Sequence, residues 1–458
     1  MTRQQPNGLL GQVAGRARQA AADPMMRNSI AIMLSTVLTS LLGYAFWMIA
    51  AHYFDKEVNG TAAATTSAIQ ATVLVASVGA AAALVEWLPR CNSAAEWRQR
   101  VTTAIVVSVV TAAIGSGVVV GVLGFAFSTL PQLATPVGAV LFCLACVFIA
   151  VGLVFDYIAV SEHRGSLLLV RSVVLCGLRI PLVLVPASFL TGADSILLAW
   201  TVAAALSLVW VMARFGARRG RSLVPNFVNL ATHLREMASS VVGQHLITVF
   251  AMLAGYLLPV VVYARLSATD NAYFYITWML GSVFFIISPA VSAALFVEGA
   301  ADRMAIRPLV RKCLLIVAAL LAVPILAYLL GGHLILALFG HDYVEHGRLL
   351  LLLLTLSAVP DAITNVAVAV LRVTDRMRTA LLLNGGMLVA CVGAAWLVLP
   401  VTGIMGVGLC WLASQSVGAL WAVLSWRRIV GHDCTVDSVR AGDVAADVMP
   451  VAAQIADH

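Results

Sequence analysis

Apolar residues run along this chain in blocks of twenty or more, broken by short polar stretches. Blocks at about 29–52, 61–88, 101–127, 133–158, 166–190 and 194–213 lead to a polar joint at 214–237. Six more follow, at about 238–264, 272–297, 312–331, 348–371, 379–400 and 403–426. An apolar stretch of about 20 residues crosses a bilayer core as a helix, because only bonds within the segment can satisfy its backbone there. The pattern therefore predicts an all-α polytopic membrane protein with twelve transmembrane helices in two six-helix bundles, 29–213 and 238–426. The flanking segments are an N-terminal arm, 1–28, and a tail, 427–458. The arm is basic but lacks the apolar core and small-residue cleavage site of a signal peptide. The tail is polar and aperiodic and reads as disordered.

Composition agrees with the pattern. Of the 458 residues 61% are hydrophobic and only 11% charged, and mean hydropathy is +0.98, outside the soluble globular range. The few cations are unevenly placed. Alternate connections and the two ends carry 23 of the 28 Lys and Arg residues, including Arg214, Arg218, Arg219, Arg221 and Arg235 of the joint. The opposite connections hold only Lys56, Arg265 and Arg348. By the positive-inside rule both termini and the joint face the cytoplasm, as expected for a protein of the cytoplasmic membrane. The net charge of +7 is then a loop bias, not a nucleic-acid footprint. The outer loops, such as HYFDKEVNG and LTGAD, are too short to fold alone. No Walker motif, glycine-rich phosphate loop or metal-ligand cluster occurs, so no cofactor or metal is expected and the chain does not read as an enzyme. The eight cysteines fall mostly inside apolar runs, and none lies in an outer loop, so no disulfide framework is indicated. The Cys143-x-x-Cys146 pair sits within LFCLACVFIA, an apolar helix.

The halves repeat. A shift of 212 residues lays Gly43-Tyr44 on Gly255-Tyr256, Asn59 on Asn271 and Val85-Glu86 on Val297-Glu298. The same shift lays Arg100 on Lys312 and Arg164 on Arg376. Both halves begin inside, so the expected repeat is parallel, about an axis along the membrane normal.

The stretch Gly43–Arg90, GYAFWMIAAHYFDKEVNGTAAATTSAIQATVLVASVGAAAALVEWLPR, resembles the start of the polysaccharide-export flippases. These belong to the multidrug/oligosaccharidyl-lipid/polysaccharide exporter superfamily. The likeness lies in AAHYF at the end of the first span, the acidic turn before Asn59-Gly60, and a small-residue second span with Gly79 closing on Leu88-Pro89-Arg90. The layout extends it loosely over 29–430. The resemblance leads one to expect a basic residue shortly before Leu88-Pro89, where this chain has Glu86. It implies flipping of a polyprenyl-pyrophosphate-linked oligosaccharide across the membrane, for a cell-surface polysaccharide or glycolipid. Membrane lipids, and glycosyltransferases or a polymerase of the same pathway, are the partners it implies.

Ionisable and amide groups within spans carry the only candidate chemistry, since each costs several kcal/mol to bury unless it faces a cavity or a partner. Arg179, deep in its span and just before Pro181, and Arg171, eight residues earlier, form a candidate basic rail for a diphosphate head. The plain alternatives are an internal ion pair for Arg179 and snorkelling for Arg171. Asp361, after Pro360 and one turn before Asn365, is a candidate proton or cation site, a partner for Arg179, or simply a helix-start carboxylate. Glu86 and Glu298 hold matching repeat positions and read either as gate residues or as interface charges. Asp156 has the same ambiguity. Gln244, Asn384 and Gln415 are candidate cavity-lining amides, and His245 a candidate proton carrier; interhelical hydrogen bonding is the plain reading of each. Two rivals stand beside the flippase: a drug/cation antiporter or major facilitator transporter, and a polytopic glycan polymerase or glycosyltransferase. The short outer loops count against the second.

Overall fold

The computed structural model describes residues 24–77, 79–184, 192–216, 224–228, 230–301 and 306–431. Most of the expected N-terminal arm, the Arg218, Arg219 and Arg221 part of the joint, Arg303 and nearly all of the tail lie outside the described residues. Among those described, every regular element is a helix. Eleven helices are long and apolar enough to cross a membrane, or up to twelve if one bent pair counts as a single span. The protein is a multi-pass membrane protein.

The packed chain divides into two units, Met1–Ala272 and Tyr273–His458. The first holds α1 (Pro24–Tyr53), α2 (Lys56–Ala76), α3 (Ala80–Trp87), α4 (Ala94–Val119), α5 (Pro136–Ser161), α6 (Gly165–Leu184), α7 (Ala193–Gly216) and α8 (Leu230–Arg265). The second is built of most of α9 (Ala268–Ala301), with α10 (Ile306–Ala337), α11 (His341–Val373), α12 (Met377–Thr402) and α13 (Met405–Gly431). The expected boundary at the joint and the packing boundary thus differ by one span, because α8 packs on α2 and α3.

In the first unit, small residues let helices approach. Ala64, Ala68, Ile69 and Val73 of α2 pack with Phe142, Ala145 and Cys146 of α5 around Leu130 and Leu133. Toward the other end, Trp97, Phe155, Ile158 and Phe215 form a second core with Leu84 and Leu88. Caps fix where helices start. Ser93 accepts a hydrogen bond from the Glu96 backbone N–H at 3.1 Å, and Glu96 in turn pairs with Arg100 at 2.7 Å. Thr135 accepts from the Gly138 N–H ahead of a helix opening on Pro136.

The expected second span, 61–88, is not one straight helix. It is α2 and α3, bent by 48° at Ser77–Gly79. Gly79 has φ +72°, a left-handed conformation that ends the α2 ladder and that glycine adopts without strain. The expected joint is also shorter as a non-helical segment, since α8 is helical from Leu230 and runs 36 residues. At about 1.5 Å per residue that exceeds the roughly 30 Å core of a bilayer. Its overhang and the segment before it are fastened to α4: His233 lies 3.5 Å from Gln99, and the N–H of Asn226, ahead of the helix, donates to Thr102 at 3.0 Å.

The second unit has an aromatic core, with Trp278 edge-on to Trp411 at 5.0 Å and Phe285 completing the group. On the outside, Leu326, Leu330, Val389, Leu397 and Val401 are exposed, an apolar surface suited to lipid tails.

The backbone carries the repeat more clearly than the residues do. The two non-glycine residues with φ +54°, His163 and Asp375, are 212 positions apart, as are Ser128 and Gly340, both of positive φ. Around them the turns match bond for bond. Arg164 N–H donates to Ala159 O and Arg376 N–H to Leu371 O, at 2.7 and 2.8 Å. Pro289 of α9 holds the position that corresponds to Ser77 at the α2–α3 bend.

Candidate functional site

Each unit builds its own cluster of polar side chains within the spans. In the first unit the tight turn at His163 folds α6 back along α5, so residues at similar distances from the turn meet. Asp156, seven positions before it, and Arg171, eight after, form a two-pronged ion pair. The Arg171 Nε lies 2.6 Å from Oδ1 and Nη2 bonds Oδ2. Both side chains are largely enclosed, at 7% and 17% exposure. A Cβ at Gly152 would sit 2.7 Å from the Arg171 Nη1, so the glycine makes room for the fork. Arg171 is therefore held in an internal pair rather than snorkelling to the interface. Its planar fork suits carboxylate and phosphate alike, and here it is committed to carboxylate.

Arg179 lies two turns further along α6. Its Cζ is 3.6 Å from the centre of the Trp200 ring on α7, well within cation–π range. Trp200 is 4% exposed, and its enclosed indole Nε1 meets no acceptor. Pro181 sits inside α6, which stays helical to Leu184.

Also in this unit, the His245 ring lies against the carbonyls of Leu74 and Val75 at the end of α2. Gln244 precedes it on α8, half-buried, and its backbone carbonyl accepts from Thr248. This pair is thus beside the α2–α3 bend. Glu86 is exposed and pairs with Arg90 one turn on, at 3.1 Å.

The second unit brings Asp361, Asn365 and Gln415 together. Here α11 runs unbroken from His341 to Val373 with Pro360 inside it, so Asp361 is a mid-helix residue and not a helix start. It is 4% exposed, and its Oδ2 has no hydrogen-bond partner. Ser288 of α9 and the Asn365 carboxamide lie beside the carboxyl. The Asn365 Nδ2 donates to the Asp361 carbonyl at 2.9 Å, and Thr364 donates to the same carbonyl at 2.8 Å and to Gln415 Oε1 at 2.9 Å. Proline at 360 removes one ladder donor, which leaves the preceding turn an acceptor to spare. Asn384 is buried on α12. Glu298 is exposed and lies 4.0 Å from Lys312, its neighbour within the same unit.

Sequence reasoning did not find Trp200, Gly152, Ser288 or Thr364. An indole and small polar residues in an apolar span carry no local signal. The Asp156–Arg171 pair was within reach, once both residues are counted from the turn between them.

No family model matches the chain, and no curated protein matches it in sequence. Solved structures do match in fold. An inward-facing multidrug-resistance MATE transporter of the MOP superfamily superposes with TM-score 0.66 at 13% identity, over 88% of this chain and 98% of that one. The lipid II flippase MurJ in an inward closed conformation gives TM-score 0.66 at 12% identity, over 87% of each chain. An outward-facing MATE transporter of the same superfamily gives 0.58 at 15%, over 90% and 97%. These neighbours are transporters and a flippase, and the chain shares their fold.

Proposed function

We propose, from the exporter fold this chain shares with MATE transporters and the MurJ flippase, that it is a membrane transporter that flips a polyprenyl-pyrophosphate-linked oligosaccharide. It works by alternating access in the cytoplasmic membrane, with both termini in the cytoplasm. The polar head enters from the cytoplasmic leaflet while the lipid tail stays in the bilayer. Glycosyltransferases or a polymerase of a surface-glycan pathway supply or consume the substrate.

The observation that carries this reading is Arg179. A guanidinium deep in a spanning helix, fixed against an aromatic face, suits an anionic head and repels a cationic drug. Arg171 stays in the reading as a reserve cation whose present partner is Asp156. Asn384 and Gln244 are candidate contacts for sugar hydroxyls. Glu86 and Glu298 act as charges at the ends of their helices.

The test is flipping of a short-chain lipid-linked oligosaccharide in proteoliposomes. Arg179→Ala is expected to lower the rate at least tenfold, the worth of about 1.5–3 kcal/mol for a charged hydrogen bond, with Arg179→Lys intermediate. A parental rate for Arg179→Ala at equal reconstitution would sink the proposal.

A second reading is favoured by Asp361. A buried carboxylate with one oxygen unmatched and two polar neighbours, Ser288 and Asn365, is suited to bind a proton or sodium ion, with His245 as a further proton carrier. It serves either as the coupling site of the flippase or as the centre of a drug/cation antiporter. Deleting the gene separates the two: glycolipid trapped inside supports flipping, and altered drug sensitivity without it supports the antiporter.

A further inference from the structure

A groove between α4 and the segment that leads into α8 shares no residue with the polar clusters above. Its volume is about 390 Å³, the size of a small-ligand pocket. Val101, Ile105 and Val106 form one wall, and Val224, Pro225 and Phe227 the other. The second wall is not helical. Open backbone does not enter a hydrocarbon core, so this wall stands at headgroup level. Yet Val224, Phe227 and Val228 are 65%, 60% and 59% exposed. Local bonds hold them in that posture. The Asn226 N–H donates to Thr102 at 3.0 Å, and the Val228 N–H donates to Asn226 Oδ1 at 3.1 Å. Apolar side chains fixed outward at a membrane border are suited to insert among acyl chains.

Arg98 alone among the lining residues is charged. It stands one turn into the spanning helix Ala94–Ala126, about 6 Å along the axis. Its Nε is enclosed and meets no hydrogen-bond acceptor. The carboxylates on the two flanking helices have other neighbours: Glu96 pairs with Arg100 at 2.7 Å, and Glu236 lies 3.5 Å from His233. The helices on either side of the joint add the exposed Arg214 and Arg235, and Arg218, Arg219 and Arg221 shortly precede Val224 in the sequence. An apolar groove beside a guanidinium with a donor to spare, in a cationic neighbourhood, is the complement of a lipid with a negative head.

We propose that this groove binds an anionic glycerophospholipid: an acyl chain lies between the α4 wall and Phe227, and the Arg98 guanidinium takes the phosphodiester. The bound lipid fastens the joint to the border of the bilayer. The site uses neither Arg179 nor Asp361 and holds whatever is transported.

The test titrates the full chain in detergent with fluorescent phosphatidylglycerol and phosphatidylcholine of matched acyl chains. Salt at about 0.5 M screens diffuse attraction between exposed charges. The parent is expected to prefer phosphatidylglycerol about tenfold, as for one hydrogen bond to a charged group. Arg98→Gln is expected to lose that preference with phosphatidylcholine affinity unchanged, while Arg235→Gln, which does not line the groove, keeps it. Phe227→Ser removes part of the apolar wall and is expected to weaken both lipids alike. The proposal is overturned by a parent without preference, or by Arg98→Gln that keeps the parental one. Equal loss in Arg98→Gln and Arg235→Gln, or unaltered binding in Phe227→Ser, overturns it as well. Should Arg98→Gln not fold, p-benzoylphenylalanine at position 227 of the otherwise parental chain takes its place. Photolabelling from an equal mixture is then expected to capture phosphatidylglycerol over phosphatidylcholine, and equal capture overturns the site.

Discussion

Three charged residues within the spans meet three different fates, and each fate follows from what lies within a few ångströms. Arg171 has a carboxylate at hydrogen-bonding distance and is neutralised. Arg179 has an aromatic face. Asp361 has hydroxyl and amide neighbours and one oxygen left unmatched. Breaking an enclosed ion pair by removing one partner leaves an uncompensated charge, which costs about 3–5 kcal/mol. Asp156→Asn is accordingly expected to lower unfolding stability by about 3 kcal/mol, read by denaturant titration in detergent. Removing both charges, as in Asp156→Asn with Arg171→Met, is expected to restore most of it. An unaltered single variant would show the pair to be energetically idle.

Among the elements, the start of α2 and the start of α9 approach closely at Gly60 and Ala268. Asn271 is fully buried and donates to the Gly60 carbonyl at 2.7 Å, while Asn59 closes the end of α1 by donating to Ala50 and Phe54 at 3.0 Å each. A Cβ at Gly60 would overlap the Ala268 carbonyl, so only glycine permits this approach. The two asparagines were legible as a repeat pair in the sequence. Their different partners were not, because a shared register fixes the position of a residue along its helix and says nothing of which neighbour faces it. Gly60→Ala is expected to destabilise the protein by about 1–3 kcal/mol through overpacking. Gly43→Ala, with open space around it, should cost nothing beyond its local backbone effect, and equal behaviour of the two would refute the close crossing.

For the whole molecule, the orientation rests on cation placement and is open to direct measurement. In a variant whose eight cysteines are replaced, Ser128→Cys is expected to react with a membrane-impermeant thiol reagent in intact cells. Asn92→Cys is expected to react only in inverted vesicles. Both side chains are exposed in the structure. The reverse pattern would turn the protein over in the membrane and place its basic loops outside.

The spans were readable from the chain itself because the bilayer is a solvent of fixed thickness. It demands a long apolar run for every crossing, and that demand leaves a one-dimensional trace. The repeat left a trace of the same kind, in the spacing of loops and arginines. Interior partnerships are set by a different rule. Whether Arg171 meets Asp156, whether Trp200 lies under Arg179, and whether the second span bends at Gly79 depend on helix rotation, crossing distance and backbone dihedrals. Those are settled by packing among residues far apart in the chain, and so only the tertiary structure decided them.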